Sequence, residues 1–290
     1  MEIFNAVDLI DTDNKASVQR MFDEGVTALM RLLVERKTIL HVPVSQGKDS
    51  TVVELMALEA YRRLIAQGDI ERSHPLVFTT VDTYAESIPM RFYVRYCHRR
   101  VVAYAKTCGI NLTYDIVGPS LNDQYFVKYL GAQKLIPNAT RRGDCSIILK
   151  VSPSERHLTN LFAQYRKEGS IYQDHQLVSC VGSRTEESQR RQANMQRQGL
   201  TGITADDIID NMTSDNVGSA EFYKLAPIQH WKTEQVFDLL RVAGHRPLSR
   251  PAKNAPQVPG FLENFGLLIE IYGNGSNEVC EISVGKQSQG

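Results

Sequence analysis

The stretch Ser45-Gln46-Gly47-Lys48-Asp49-Ser50 carries groups suited to holding an anion: one amine, two hydroxyls and a glycine in a polar turn. It follows the apolar run Ile39-Leu40-His41-Val42-Pro43-Val44 and precedes a segment in which Val52, Leu55, Met56, Ala60 and Leu64 share one helical face. Strand, turn and helix in that order aim the unpaired N–H groups and the positive end of the helix at one spot. A phosphate suits that spot, with Lys48, Ser45 and Ser50 as further donors. The Walker A pattern is not met: Val42 stands where its first glycine belongs and Asp49 where its Ser/Thr belongs. The plain alternative is a helix start capped by Asp49 and Ser50.

Three more clusters follow apolar runs or helix starts. Asp82-Thr83 closes the run 75–81. Its carboxylate suits orienting Mg²⁺ or a ribose hydroxyl, or making an Asx-turn. Gly182-Ser183-Arg184-Thr185-Glu186-Glu187-Ser188-Gln189-Arg190-Arg191 closes the run 176–181. There Gly182 permits close backbone approach, and Arg184, Glu187, Ser188 and Arg191 share one side of a helix start. The two arginines can grip phosphate oxygens or an anionic acceptor, or the segment is a solvated helix face. Cys145 lies beside Arg141 and Arg142 at a helix start, as a nucleophile or sulfur carrier or as a core residue; Lys150 is a candidate anion contact. Gln229-His230-Trp231 lines a nucleotide pocket or holds a structural Trp. Cys97, Cys108 and Cys180 sit in apolar patterns and read as core, and no zinc pattern is present.

The elements that must position these groups alternate in type. The spacing predicts helices over 17–36, 50–67, Pro89 to Cys108 with Gly109 as cap, 153–168, and one capped by Thr233 with Val236, Leu239 and Leu240 inward. Strands are expected over 39–44, 75–81, 111–117, 176–181 and 222–227. The stretch 120–152 reads as loosely helical, and 185–218 as an exposed helix and loop. The fold class is therefore α/β, a mostly parallel twisted sheet with helices on both faces. Ligands of such sheets gather beyond the carboxyl ends of the strands, where these polar turns fall.

Basic and acidic residues balance at 33 each, so no global field draws nucleic acid. A nucleic-acid partner requires a local basic patch, for which Lys128, Arg141, Arg142, Arg190, Arg191 and Arg197 are candidates. No long uncharged apolar run is present, so no membrane partner is expected. Five scattered cysteines argue against a disulfide framework and for a reducing, cytoplasmic location.

Taken together, the motifs resemble the adenosine-nucleotide α-hydrolase group, in its PAPS-reductase and ATP-pyrophosphatase branch. The matching order is Ser45-Gln46-Gly47-Lys48-Asp49-Ser50, Val81-Asp82-Thr83, Cys145 with Lys150, Gly182-x-Arg184-x-x-Glu187-Ser188-x-x-Arg191 and Pro227-Ile228-x-x-Trp231. The loop and the Cys145 segment look most like DndC-type proteins of DNA phosphorothioation, including the related SspD. Gln46 departs from the family loop, which has a second glycine there.

The resemblance implies a Rossmann-like fold and cleavage of ATP to AMP and pyrophosphate, with a DNA backbone phosphate adenylated for sulfur incorporation. It implies that Ser45, Gln46, Gly47, Lys48, Asp49, Ser50, Asp82, Thr83, Gly182, Glu187 and Ser188 bind ATP. Asp49 and Asp82 would orient Mg²⁺, Arg184 and Arg191 would hold the α-phosphate or acceptor, and Cys145 would relay sulfur. A cysteine desulfurase and other DNA-modification subunits are the implied partners. Cys280 stands where the first ligand of a 4Fe-4S cluster would be, with the other cysteines expected beyond Gly290. The implied organisation is an N-terminal helical extension over 1–36, an ATP-pyrophosphatase domain over 37–245 and an irregular segment over 246–290 leading to a Cys-rich region. Two rival readings remain: an adenylyl-sulfate reductase using a C-terminal cysteine, and a non-catalytic ATP-binding assembly subunit.

Overall fold

The computed structural model describes residues 12–136, 145–185, 203–217 and 220–273. The elements run α1 (Thr12–Glu35), β1 (Thr38–Pro43), α2 (Lys48–Gln67), β2 (Pro75–Val81), α3 (Ile88–Cys108), β3 (Asn111–Val117), α4 (Ser152–Tyr165) and β4 (Gln176–Cys180). They continue with α5 (Ala205–Asp210), β5 (Thr213–Val217), β6 (Ala220–Leu225), α6 (Thr233–Val242) and α7 (Gly266–Gly273). Local signals explain most boundaries. Gly68 and Gly109 take left-handed backbone at φ 81° and 71° and stop α2 and α3, and Pro89 opens α3.

Six strands form one sheet in the order β3-β2-β1-β4-β6-β5. All neighbours are parallel except the β5–β6 edge pair. The chain winds outward from β1 through β2 to β3, then returns to place β4 on the other side of β1. The order therefore reverses between β1 and β4. Turns after adjacent strands diverge to opposite faces at such a point, leaving a crevice at their carboxyl ends.

Both faces of the sheet are covered, which is why β1 is buried along nearly its whole length. Leu40, Val42, Leu76 and Phe78 face a large core built with α1, α2, α3 and α6. Ile39, Val77, Leu177 and Phe222 face Leu158, Leu161 and Phe162 of α4. Among the described residues, no helix is long and apolar enough to cross a membrane.

The stretch 120–152, read as loosely helical, has among its described residues a 3₁₀ turn at Leu121–Asp123 and π-helical turns at Phe126–Leu130 and Ile147–Val151. Other expectations need correction. Within 185–218 lie α5 and the strand β5, whose polar sequence Thr-Ser-Asp-Asn-Val hides it because an edge strand buries little. Helix α6 is capped at Lys232, whose N–H donates to Gln235 Oε1 at 2.8 Å, and not at Thr233. The segment 246–290 is not irregular throughout: Phe261, Phe265 and Leu268 enter the main core as the chain approaches and enters α7.

His41 lies at the centre of β1 and links its neighbours: Nδ1 is 3.0 Å from Ser179 Oγ on β4 and Nε2 is 3.2 Å from Thr79 Oγ1 on β2. Burial, and secondarily the nearby His157, lowers its pKa from 6.5 to about 3. A folded value below the unfolded one means that the stabilisation is whole above the unfolded pKa and is lost as pH falls toward the folded one. His74, lowered to about 4 by burial, acts in the same direction. The thermal midpoint should therefore fall between about pH 7 and pH 5, and fall less in His41→Gln, where only the other buried histidines titrate. Equal slopes for the two proteins by circular dichroism would show that His41 does not carry the effect.

Candidate functional site

The turn after β1 folds tightly on itself before α2 begins. Ser45 Oγ and Ser50 Oγ lie 2.9 Å apart, Gly47 N–H donates to Ser45 Oγ at 3.3 Å, and Ser50 Oγ donates to Gly47 O at 3.2 Å. Gly47 is the N-cap of α2 in extended conformation. The first N–H groups of α2 have no intrahelical acceptor and face the crevice end of the sheet.

Gln46 explains how a non-glycine residue occupies this loop. Its φ is +58°, the left-handed region, which costs a residue with a Cβ about 1–2 kcal/mol. The side chain is fully buried, and Nε2 donates to both carboxylate oxygens of Glu54 at 3.3 and 3.2 Å and to Tyr114 O–H at 3.0 Å. Tyr114 in turn reaches Thr80 Oγ1 at 2.9 Å, and Thr80 donates to Val44 O at 2.7 Å. Hydrogen bonds of about 1 kcal/mol each offset the backbone strain. The chain of contacts anchors both ends of the turn to β2, β3 and α2. Burial holds the Glu54 carboxyl well above the usual carboxylate range, with the Gln46 bond opposing it. Glu54, Thr80 and Tyr114 had no signal of their own in the sequence.

The turn after β4 packs directly on the start of α2. A Cβ on Gly182 would lie 2.9 Å from both Asp49 C and Ser50 N, so the backbones touch where only glycine fits. Two residues on, Arg184 is 2% exposed. Its Nε donates to Asp49 Oδ1 at 2.6 Å, and Nη1 to Trp231 O at 3.3 Å and Thr233 Oγ1 at 3.0 Å. Arg184 therefore braces Asp49 from within and is not placed as the anion grip expected of it. Trp231 is a buried core residue, its carbonyl serving this brace.

Lys48 Nζ is 2.9 Å from Asp49 Oδ2 and 5.7 Å from the centre of the Tyr272 ring of α7. An anion entering the loop competes with Asp49 for that ammonium. Beside the loop, a cavity of about 510 Å³ opens at the ends of β1 and β2. Ser45, Asp82 and Tyr272 lie on its wall, with Val44, Val94 and Ile271 among the apolar lining. Its volume suits a nucleoside-sized ligand. Tyr272 and Ile271 come from a helix that sequence reading did not expect.

The other expected residues divide. Asp82 lines the cavity; Oδ1 accepts from Tyr84 N–H at 2.9 Å, the Asx-turn alternative, and Oδ2 is 3.3 Å from Arg91 Nε. Thr83 is buried and accepts from Ala85 N–H at 3.3 Å. Each carboxylate oxygen of Asp49 and Asp82 already meets a cation or donor, and no metal-holding group of three His, Cys, Asp or Glu exists among the described residues. Asp49 and Asp82 are thus both engaged by groups of the protein itself. Cys145 is half-buried and does not line the cavity, whereas Lys150 does. Glu187, Ser188, Arg191 and Cys280 lie outside the described residues, as do Arg141, Arg142, Arg190 and Arg197 of the expected basic patch. Lys128 pairs with Asp123 at 3.1 Å.

Over residues 39–246 the chain matches the phosphoadenosine phosphosulfate reductase domain. No curated protein matches it in sequence. Solved structures with a similar course include Candida glabrata FMN adenylyltransferase in complex with FMN and the ATP analog AMPCPP, at 12% identity and TM-score 0.36, covering 80% of this chain and 63% of that one. The U34-tRNA thiolase NcsA from Methanococcus maripaludis, with its 4Fe-4S cluster, matches at 12% identity and TM-score 0.40, covering 77% and 62%. The chain spans just under two thirds of the length of these structures.

Two variants probe the loop. Gln46→Gly relieves the strain at φ +58° but strands Glu54 and Tyr114, whereas Gln46→Ala strands the same partners and keeps left-handed strain of about 1 kcal/mol. Thermal midpoints should fall in the order wild type, Gln46→Gly, Gln46→Ala; Ala above Gly would contradict the strain argument. Gly182→Ala should keep the far-ultraviolet spectrum while weakening anion binding about tenfold or more by displacing the α2 start, and unchanged calorimetric affinity would refute the backbone contact.

Proposed function

Given that the chain belongs to the phosphoadenosine phosphosulfate reductase domain family, we propose that it cleaves ATP between the α- and β-phosphates to activate a nucleic-acid phosphate for sulfur incorporation. The observation carrying this reading is the apposition of the Lys48 loop and the Gly182 turn across the point where strand order reverses, with a nucleoside-sized cavity alongside. The loop N–H groups and Lys48 hold the pyrophosphate portion, and the apolar cavity takes the nucleoside. An oxygen of a DNA backbone phosphate attacks the α-phosphorus in line with the bridging oxygen. A new P–O bond forms as pyrophosphate leaves. A persulfide delivered by a cysteine desulfurase partner then attacks the activated phosphorus and displaces AMP, and a thiol reductant cleaves the resulting S–S bond to leave the phosphorothioate.

The protein's own contribution is charge neutralisation and alignment. Asp49, fixed by Arg184, keeps Lys48 at the mouth of the loop until the more highly charged pyrophosphate draws it away. Lys150 on the cavity wall offers a second cation for the acceptor. In this reading Cys145 relays sulfur, the setting is the cytoplasm, and the whole belongs to a DNA phosphorothioation system of bacterial defence.

Lys48→Ala should reduce pyrophosphate release from ATP by at least about a hundredfold with the fold intact. Undiminished release in an enzyme-coupled phosphate assay would remove the loop from the reaction. The family match also supports the reductase reading, and calorimetry separates the two: binding of phosphoadenosine phosphosulfate without binding of ATP selects the reductase.

A further inference from the structure

Helix α3 concentrates charge that the chain as a whole lacks. Between Ile88 and Cys108 it carries Arg91, Arg95, Arg99, Arg100 and Lys106 and no Asp or Glu, in a protein whose basic and acidic residues balance. Tyr93, Cys97, Val101 and Ala105 form its buried stripe. Helical spacing then turns Ile88, Arg91, Phe92, Arg95, Tyr96 and Arg99 outward.

These outward side chains are unusual for a solvated face. Ile88 is 72% exposed, Phe92 71% and Tyr96 45%. Arg95, Arg99 and Arg100 have no acidic partner among the described residues, whereas Arg91 is held by Asp82. Phe92 and Tyr96 are one turn apart, about 6 Å along the helix, with guanidinium groups before and after each ring. The stripe begins at the cavity, whose wall includes Arg91 and Arg95.

We propose that this face of α3 is a platform for single-stranded nucleic acid that leads the strand to the cavity mouth. Unpaired bases stack on Phe92 and Tyr96, and arginines take the phosphates between them. Duplexes hide their base faces and gain nothing from the rings. An interfacial membrane helix separates an apolar face from its basic flank, whereas here rings and guanidiniums alternate along the same face. The stripe supplies cations of its own, whereas Lys128 of the expected patch is paired with Asp123. The role of the bound strand as acceptor rests on the pyrophosphatase reading; the binding itself does not.

The test uses a fluorescein-labelled deoxythymidine oligomer of about 20 nucleotides, titrated with the full chain without ATP and followed by anisotropy. Phe92→Ala with Tyr96→Ala should weaken binding by about tenfold or more. Arg99→Glu with Arg100→Glu should weaken it comparably and reduce the slope of log affinity against log salt by about 1.4. ATP affinity should be unchanged in both variants, since none of these residues lines the cavity. Unchanged oligomer affinity in the Phe92/Tyr96 variant overturns the platform. So does equal competition by a duplex of the same sequence, or displacement of the oligomer by phosphatidylserine vesicles that bind wild type but not the variants. Oligomer binding that follows the expected pattern without ATP cleavage sustains the platform and removes the pyrophosphatase reading; cleavage without oligomer binding does the reverse.

Discussion

The buried ion pair between Arg184 and Asp49 is the contact on which the site depends. It joins the turns after β1 and β4, neighbouring strands at the point where the strand order reverses. Arg184 is almost wholly enclosed and donates further to Trp231 O and Thr233 Oγ1, so the pair is also tied to the start of α6. Removing one partner of such a pair strands the other charge, at a cost of about 3–5 kcal/mol. That penalty makes the relative position of the two turns a property of the core.

The same device recurs at the other side of the loop without charge. Gln46 is held by Glu54 and Tyr114, and Tyr114 by Thr80, which returns to the carbonyl of Val44. The polar turn therefore begins and ends on fixed points in two strands and a helix. A loop so pinned loses little entropy when a ligand arrives, which is the physical content of preorganisation. Lys48 is different. Its contacts to Asp49 and the Tyr272 ring are partly buried beside the cavity, and an anion of higher charge can replace Asp49 as its partner.

Tyr272 also shows where similarity stops. The family match ends at residue 246, while α7 lies beyond it and still contributes Ile271 and Tyr272 to the cavity wall. The basic, aromatic face of α3 begins at the same cavity. The site is thus bordered by elements within the family match on one side and by α7, which lies beyond it, on another.

Alternation of apolar strands with amphipathic helices, legible from residue spacing alone, determined the parallel sheet and most of its element boundaries, because burial on both faces imposes a periodicity that local sequence must obey. Glycines and polar groups at strand ends likewise marked Gly182 and the Lys48 loop. The edge strand β5 and the helix α7 escaped, since one buries little and the other depends on distant partners. Nor did spacing reveal whether Arg184 faces ligand or protein, or that Glu54 and Tyr114 support Gln46. Those outcomes depend on which side chains from remote segments meet in a low-dielectric interior, where a charge must find a partner and a strained backbone must be compensated. The arginine-rich composition of α3 stood in the sequence all along, but only the packed structure decided which of its side chains face outward beside the cavity.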